Sequence, residues 1–262
     1  MDLPRPFWAD MTALDFSTDT DGWIAVLPTA AIEQHGPHLP LGTDTIIGEG
    51  MVNTAAKMLP ADVPASFLPI QSVGKSNEHI AYRGTLTLSW ETAIKAWLEI
   101  ATSVARSGVR RMVFVNSHGG NTAMLDVVTR ELRVRFDMLA VHTAWFRFGD
   151  NDLLTPEERD LGIHGGTMET ALIQHFRPDL VRPEHVANFG SAQAKLMEEN
   201  THLRAHGPHA FAWKAGDLNP NGVVGDATAA TPQMGEAIAK HHAEKFIELL
   251  VDVAKIDLSV LK

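Results

Sequence analysis

The sequence predicts an α/β fold, a layered sandwich with a mainly parallel central sheet flanked by helices, spanning residues 1–262 as a single domain. Three observations lead to it. Short continuous apolar runs such as Met112-Val113-Phe114-Val115 have the character of strands buried on both faces, as in parallel sheets. These runs alternate with longer helical stretches that carry start and stop signals. No repeat, low-complexity tract or linker divides the chain, and its 262 residues suffice to bury a large core.

The elements follow in order. Trp23-Ile24-Ala25-Val26-Leu27 predicts the first strand, and a helix is expected from about Thr45 to Leu59. Ala65 to Ile70 predicts a second strand, with Pro69 near its end because proline cannot donate to a ladder. Ser89 is placed to cap a helix to about Arg106, which Gly108 would stop. The Met112–Val115 strand comes next, then a helix from a cap at Asn121 to Phe136, then a strand from Met138 to Thr143. Thr167 is expected to cap a helix to Phe176. Thr231, with Pro232 at the first helical position, opens a long final helix.

Composition removes several functions. The chain has 22 Lys+Arg against 32 Asp+Glu, a net charge of −10, so it has no general attraction to phosphate backbones and nucleic acid is not an expected partner. Its 45% hydrophobic content argues against disorder. With no cysteine, disulfides, thiolate nucleophiles and Cys-type zinc sites are excluded. Metal chemistry is left to carboxylates and to 13 histidines. The first ten residues lack an apolar signal-peptide core, and no run reaches the roughly 20 apolar residues of a membrane span. A cytoplasmic protein without membrane partners is expected.

Chemistry-bearing residues gather at three junctions. In Glu33-Gln34-His35-Gly36-Pro37-His38-Leu39-Pro40-Leu41-Gly42-Thr43-Asp44, Glu33 and His35 point to one side of an extended segment. The glycines and prolines then turn the chain so that Asp44 returns beside them. Asp44 also suits a helix start on dipole grounds alone. His38 is expected to orient a neighbour. The second junction, Asn116-Ser117-His118-Gly119-Gly120-Asn121, follows a buried strand, at the carboxyl end where ligands bind in open α/β sheets. It is otherwise simply a tight turn. The third, His164-Gly165-Gly166-Thr167-Met168-Glu169, is equally readable as a well-capped helix. Three such junctions, each with imidazole or carboxylate beside glycine, favour a shared site.

Other motifs fail. Gly74-Lys75-Ser76 lacks the earlier glycine of a phosphate-binding loop, since that position is Pro69. There is no G-x-S-x-G elbow and no G-x-G-x-x-G fingerprint. His241-His242 is expected on the solvated face of the last helix. The Gly/Pro/Asn-rich stretch from Trp213 to Asp226 reads as a long loop that lines a site. Arg83 and Arg147 are candidates for holding a substrate carboxylate or phosphate, with ordinary surface ion pairs as the competing reading.

Taken together, these three motifs resemble the creatininase (creatinine amidohydrolase) family. The similarity continues through Glu78-His79, Gly84-Thr85 and Gly222-Val223-Val224-Gly225-Asp226. The resemblance implies an α/β sandwich, two divalent ions sharing one aspartate, and a homo-oligomer, commonly a hexamer. It matches Glu33, His35, Asp44 and His118 to metal ligands, with Asp44 as the bridge. His164 matches the catalytic histidine, and Glu169 matches an acidic residue of the same site. Two departures stand out. Creatininases carry a glutamate ligand where this chain has Gly120, and a substrate-covering tryptophan where it has Asp160. Glu169 is therefore expected to serve both as a catalytic group and as the residue completing the second ion's shell. Glu78, His79, Asn121 and Trp213 are assigned to substrate binding. The His-Gly-Gly-Asn variant is similar to family branches that act on formamides, on a mycofactocin peptide, or on keto-inositol rings.

Carboxylate and imidazole suit Zn²⁺ or Mn²⁺, with Fe²⁺ also compatible. The expected function is a divalent-metal-dependent hydrolase that attacks a small cyclic or amide-type substrate with metal-activated water. The alternatives are C–C hydrolysis that opens a cyclic keto-polyol, and an inactive binding protein that keeps the fold. The last would need a broken ligand set, and here that set is intact.

Overall fold

The computed structural model describes residues 3–261. Four parallel strands, β1 (Ile24–Thr29), β2 (Ala65–Phe67), β3 (Arg111–Asn116) and β4 (Leu139–Ala144), form a sheet in the order β2-β1-β3-β4. Ile24 pairs with Ala65 on one side and with Arg111 on the other, and Arg111 pairs with Leu139, so the strands start level. A minor antiparallel pair joins β5 (Asn188–Phe189) to β6 (Gly225–Asp226).

Each central strand is buried along its full length, which explains its unbroken apolar sequence. Ile24, Val26, Val113 and Val115 face one helical layer, formed by α1 (Thr43–Met58), α5 (Thr167–Phe176) and α8 (Pro232–Lys255). Ala25, Leu27, Met112 and Phe114 face the other, formed by α2 (Trp90–Arg106) and α3 (Thr122–Phe136). Shorter helices are α4 (Pro156–Leu161), which contacts β6, and α6 (Ala192–Glu199) and α7 (Ala215–Leu218), which contact each other. The crossing of α5 and α8 depends on Gly235, where a Cβ would collide with the Ala171 carbonyl. Among the described residues no helix is long and apolar enough to cross a membrane.

Several local expectations need correction. Strand β1 runs on through Pro28 to Thr29. Pro28 is tolerated there because β2 has already ended, and the Pro28 carbonyl is met instead by the Gln71 N–H at 2.9 Å. Helix α1 starts two residues early, with Asp44 inside its first turn. Ser89 and Thr231 cap as expected, accepting from Thr92 N and Met234 N. Thr167 does not cap: Gly166 holds that position, and the Thr167 hydroxyl donates to the Asp226 carbonyl at 2.6 Å. The solvated face assigned to His241-His242 is also wrong for His242, which is fully buried. These two imidazoles contact the Phe148 and Gly149 carbonyls at 2.9 and 2.5 Å, tying α8 to the loop after β4.

Candidate metal centre

The first and third strands end side by side, with Ser117 N–H donating to Thr29 O at 2.9 Å. Their following loops therefore share the carboxyl edge of the sheet. The loop after β1 carries Glu33 and His35 and returns through Gly42 into α1, placing Asp44 beside them. The loop after β3 carries His118, and the turn into α5 brings His164 and Glu169. All three predicted junctions meet in one place.

Asp44 lies between two imidazoles. Its Oδ1 is 3.4 Å from His35 Nε2 and its Oδ2 is 3.5 Å from His118 Nδ1. His118 Nδ1 also faces Glu33 Oε2 at 3.2 Å, and His35 Nε2 faces Glu169 Oε2 at 3.6 Å. Asp44 thus links Glu33 and His118 on one side to His35 and Glu169 on the other, and among the described residues Glu33–His35–Asp44, His35–His164–Glu169 and Glu33–His79–His164 each bring their donor atoms within 4.8 Å of one another. A tetrahedral shell with ligands at about 2.0–2.1 Å has edges of about 3.3–3.4 Å between donors, and the observed spacings straddle that value. His35 Nε2 and Asp44 Oδ2 are buried polar atoms with no hydrogen-bond partner, an arrangement that buried groups normally avoid. Oxygen and imidazole donors, orphaned and correctly spaced, fit a divalent ion.

Further hydrogen bonds aim the ligands. His118 Nε2 donates to the Lys75 carbonyl at 3.0 Å, leaving Nδ1 for the centre. His35 Nδ1 donates to the Glu33 carbonyl at 3.2 Å, leaving Nε2. Such outer contacts select the tautomer of a metal-binding histidine. Ser76 Oγ donates to Glu33 Oε2 at 2.5 Å. His38 points away, contacting the Gly165 carbonyl at 3.0 Å and the Thr170 hydroxyl at 3.1 Å. Through Nε2 it ties the first junction to the third.

Burial and mutual charge act against each other across this cluster. Burial alone would raise Glu33, but the facing His118, His164 and His79 hold it well below the usual carboxylate range. Burial and the Glu33 charge push Asp44 up to about 6, against the pull of His35 and His118. Burial opposes charge on His35 and His118, yet the surrounding carboxylates raise them to about 9 and about 10. His164, buried and beside His35, is pushed down to about 4. His79, buried and beside His164, falls to about 2.

Glu33, Asp44, His118, His164 and Glu169 line a cavity of about 720 Å³. Glu78, His79 and Trp213 line it, as do Phe146, Leu154, Ile163 and Arg159. Asn121 does not. It is fully buried beneath the His118 turn, where its amide contacts Ala30 O, Asn116 Oδ1 and Lys75 N at 3.0–3.1 Å. Substrate cannot reach it, and its role is to knit the β1 and β3 loops together. Arg83 and Arg147 are exposed and outside the cavity lining. The arginine on the wall is Arg159, paired with Asp150 at 2.9 Å and Asp152 at 3.0 Å. Gln34, Ser76 and Glu158 escaped the reading of the sequence. Only Gln34 carried a signal, its place between two ligands.

Comparison with known proteins identifies the family and the fold. The sequence matches the family described as creatinine amidohydrolase over residues 9–250. It is 30% identical over 220 residues to a mycofactocin precursor peptide peptidase of Mycolicibacterium smegmatis, covering 82% of this chain and 79% of that one. It is 28% identical over 178 residues to a creatinine amidohydrolase of Pseudomonas putida, covering 63% and 68% of the two chains. A solved structure named "Creatininase Mn" superposes with a TM-score of 0.77 at 22% identity, covering 97% of this chain and 100% of the other. The fold expected from sequence is therefore the fold observed, and the chain belongs to the creatinine amidohydrolase family.

Proposed function

We propose that this chain cleaves an amide bond in an extended, peptide-like substrate rather than in creatinine. Family membership makes it a divalent-metal-dependent hydrolase; the substrate class is our reading. The observation that carries it is the meeting of Glu33, Asp44, His118 and Glu169 on the lining of a cavity of about 720 Å³, with His35 packed against Asp44 and Glu169. That volume lies in the range of about 300–1,000 Å³ used by drug-sized ligands, more than one five-membered ring needs. The similarity to relatives named for a precursor peptide supports the same reading.

In this reading Glu33, Asp44 and His118 hold one ion, and His35, Asp44 and Glu169 hold the other, two per chain. When bound, such ions acidify a water from about 16 toward about 7 and polarise a carbonyl. The protein's own residues do the rest. Asp44 keeps one oxygen toward each trio. Phe146, Leu154, Ile163 and Trp213 supply an apolar wall that seats the substrate and excludes bulk water. His164 donates Nε2–H to the Gln34 carbonyl at 2.9 Å, so its Nδ1 is free on the side of Glu33 Oε1, 3.6 Å away. That nitrogen takes the proton of the attacking water and returns it to the leaving amine. We assign Zn²⁺ or Mn²⁺ as the ions, a cytoplasmic location, and a homo-oligomer, hexameric by family likeness.

The test is a turnover screen of protein stripped of metal and reloaded with Zn²⁺ or Mn²⁺. Peptide amides should be hydrolysed and creatinine left intact. Ring opening of cyclic keto-polyols with no amide cleavage would overturn the proposal.

A further inference from the structure

We infer that Gln34, which holds no metal-facing atom, is a positioning residue that sets the tautomers of His79 and His164. The inference rests on the proposed site, but its test does not depend on turnover.

The orientation of the Gln34 amide is fixed by two backbone groups. Its Oε1 accepts from Gly36 N–H at 3.0 Å, and its Nε2 donates to the Gly222 carbonyl at 2.6 Å. A flipped amide would set donor against donor and acceptor against acceptor. The packing also leaves no slack, since a Cβ on Gly222 would fall within 2.5–2.7 Å of the Gln34 side chain.

Hydrogen counting then decides the imidazoles. Gln34 Nε2 has two hydrogens and three neighbours: Gly222 O, His79 Nδ1 at 2.8 Å and His164 Nε2 at 3.2 Å. His164 Nε2 spends its own proton on the Gln34 backbone carbonyl at 2.9 Å, so it accepts nothing. The second amide hydrogen therefore goes to His79 Nδ1, which must be bare. His79, neutral, carries its proton on Nε2, where it faces Glu33 Oε1 at 3.5 Å on the cavity wall. One residue thus acts on both histidines. Its side chain makes His79 a donor into the site, and its backbone makes His164 an acceptor there.

The experiment is ¹⁵N imidazole NMR on the Zn²⁺-loaded protein at neutral pH, with His79 and His164 assigned by single substitution. Both rings are expected to be protonated on Nε2 and bare on Nδ1. Gln34→Glu keeps the shape but replaces the amide donor with an acceptor, and should move the His79 proton to Nδ1. Gln34→Met, which neither donates nor accepts, should leave His79 a mixture of tautomers while His164 stays as it was. Zinc content should hold in both variants, and kcat for the best amide should fall about 10–100-fold, as for other outer-shell changes. If Gln34→Glu does not fold, the wild-type and Gln34→Met spectra decide. A wild-type His79 protonated on Nδ1, or a His79 tautomer unmoved in every folded variant, overturns the inference whatever the substrate proves to be.

Discussion

The carboxylate of Glu78 fills the space that a side chain on residue 120 would need. A Cβ built on Gly120 would run into Glu78 Oε1 and His118 Nε2, with the Lys75 carbonyl 2.8 Å away. The glycine is thus matched to its surroundings, and the glutamate ligand of creatininases has no room here. We expect Gly120→Glu to displace His118 and lose bound metal, not to gain a ligand. Elemental analysis checks this, and Glu78→Gly added to Gly120→Glu should recover part of the metal. Full metal content in the single variant would show that the turn repacks freely.

Removing ligands and removing the proton carrier should have separable effects. His118→Ala takes away a donor shared with Glu33 and Asp44, so zinc per chain should fall by about one ion. His164→Ala should keep zinc and lose turnover by about 10²–10⁴-fold, the usual worth of a placed acid–base group. Metal counts and single-turnover rates on the same preparations distinguish them. A His164→Ala enzyme of normal rate would remove its assigned role.

Much of this was legible in the sequence, for local reasons. The β3 run Arg111–Asn116 is buried throughout, so its apolar pattern showed. The three junctions showed because glycine and proline must sit near ligands that a turning backbone presents. What stayed hidden depends on distant parts of the chain. Asn121 read as a helix cap and a substrate contact, yet its amide reaches back to Ala30 across the sheet edge. His242 looked solvated on a charged helix, but the loop ending at Gly149 covers it. Ser76 meets Glu33 43 residues away in sequence, and nothing in its neighbours announces that.

The metal-free protein should be most stable near pH 6.5, between two opposing sets of histidines. Burial lowers His164 and His242 to about 4 from an ordinary 6.5. Their contribution is full above 6.5 and is lost as pH falls through about 4. His35 and His118, buried but raised by carboxylates to about 9 and about 10, work the other way. Their contribution is full below 6.5 and disappears as pH rises through those values. Metal needs these two imidazoles unprotonated, so loading at pH 7.5 should release about two protons. Calorimetry in buffers of different ionisation enthalpy measures the release, and thermal midpoints with and without chelator trace the alkaline arm. An alkaline decline equally steep in loaded protein would contradict the assignment.

Glu158 should matter to the centre without touching it. Its buried carboxylate accepts from Thr167 N–H at 2.7 Å and from Asp226 N–H at 2.8 Å, bridging the first turn of α5 to β6. The same turn carries Glu169, whose Oε2 also accepts from Gly165 N–H at 2.6 Å. A hydrogen bond to a charged group contributes about 1.5–3 kcal/mol, and a buried donor left unpaired costs about 1–3 kcal/mol. Glu158→Gln turns one acceptor into a donor facing a backbone N–H, and should destabilise folding by about 2–4 kcal/mol. Because the damage falls on the start of α5, the ion we propose at His35 and Glu169 should be lost at lower chelator concentration than the one we propose at Glu33 and His118. Denaturant titration and stepwise chelation read the two effects separately. Equal weakening of both ions would mean that Glu158 supports the whole loop layer and not the Glu169 turn.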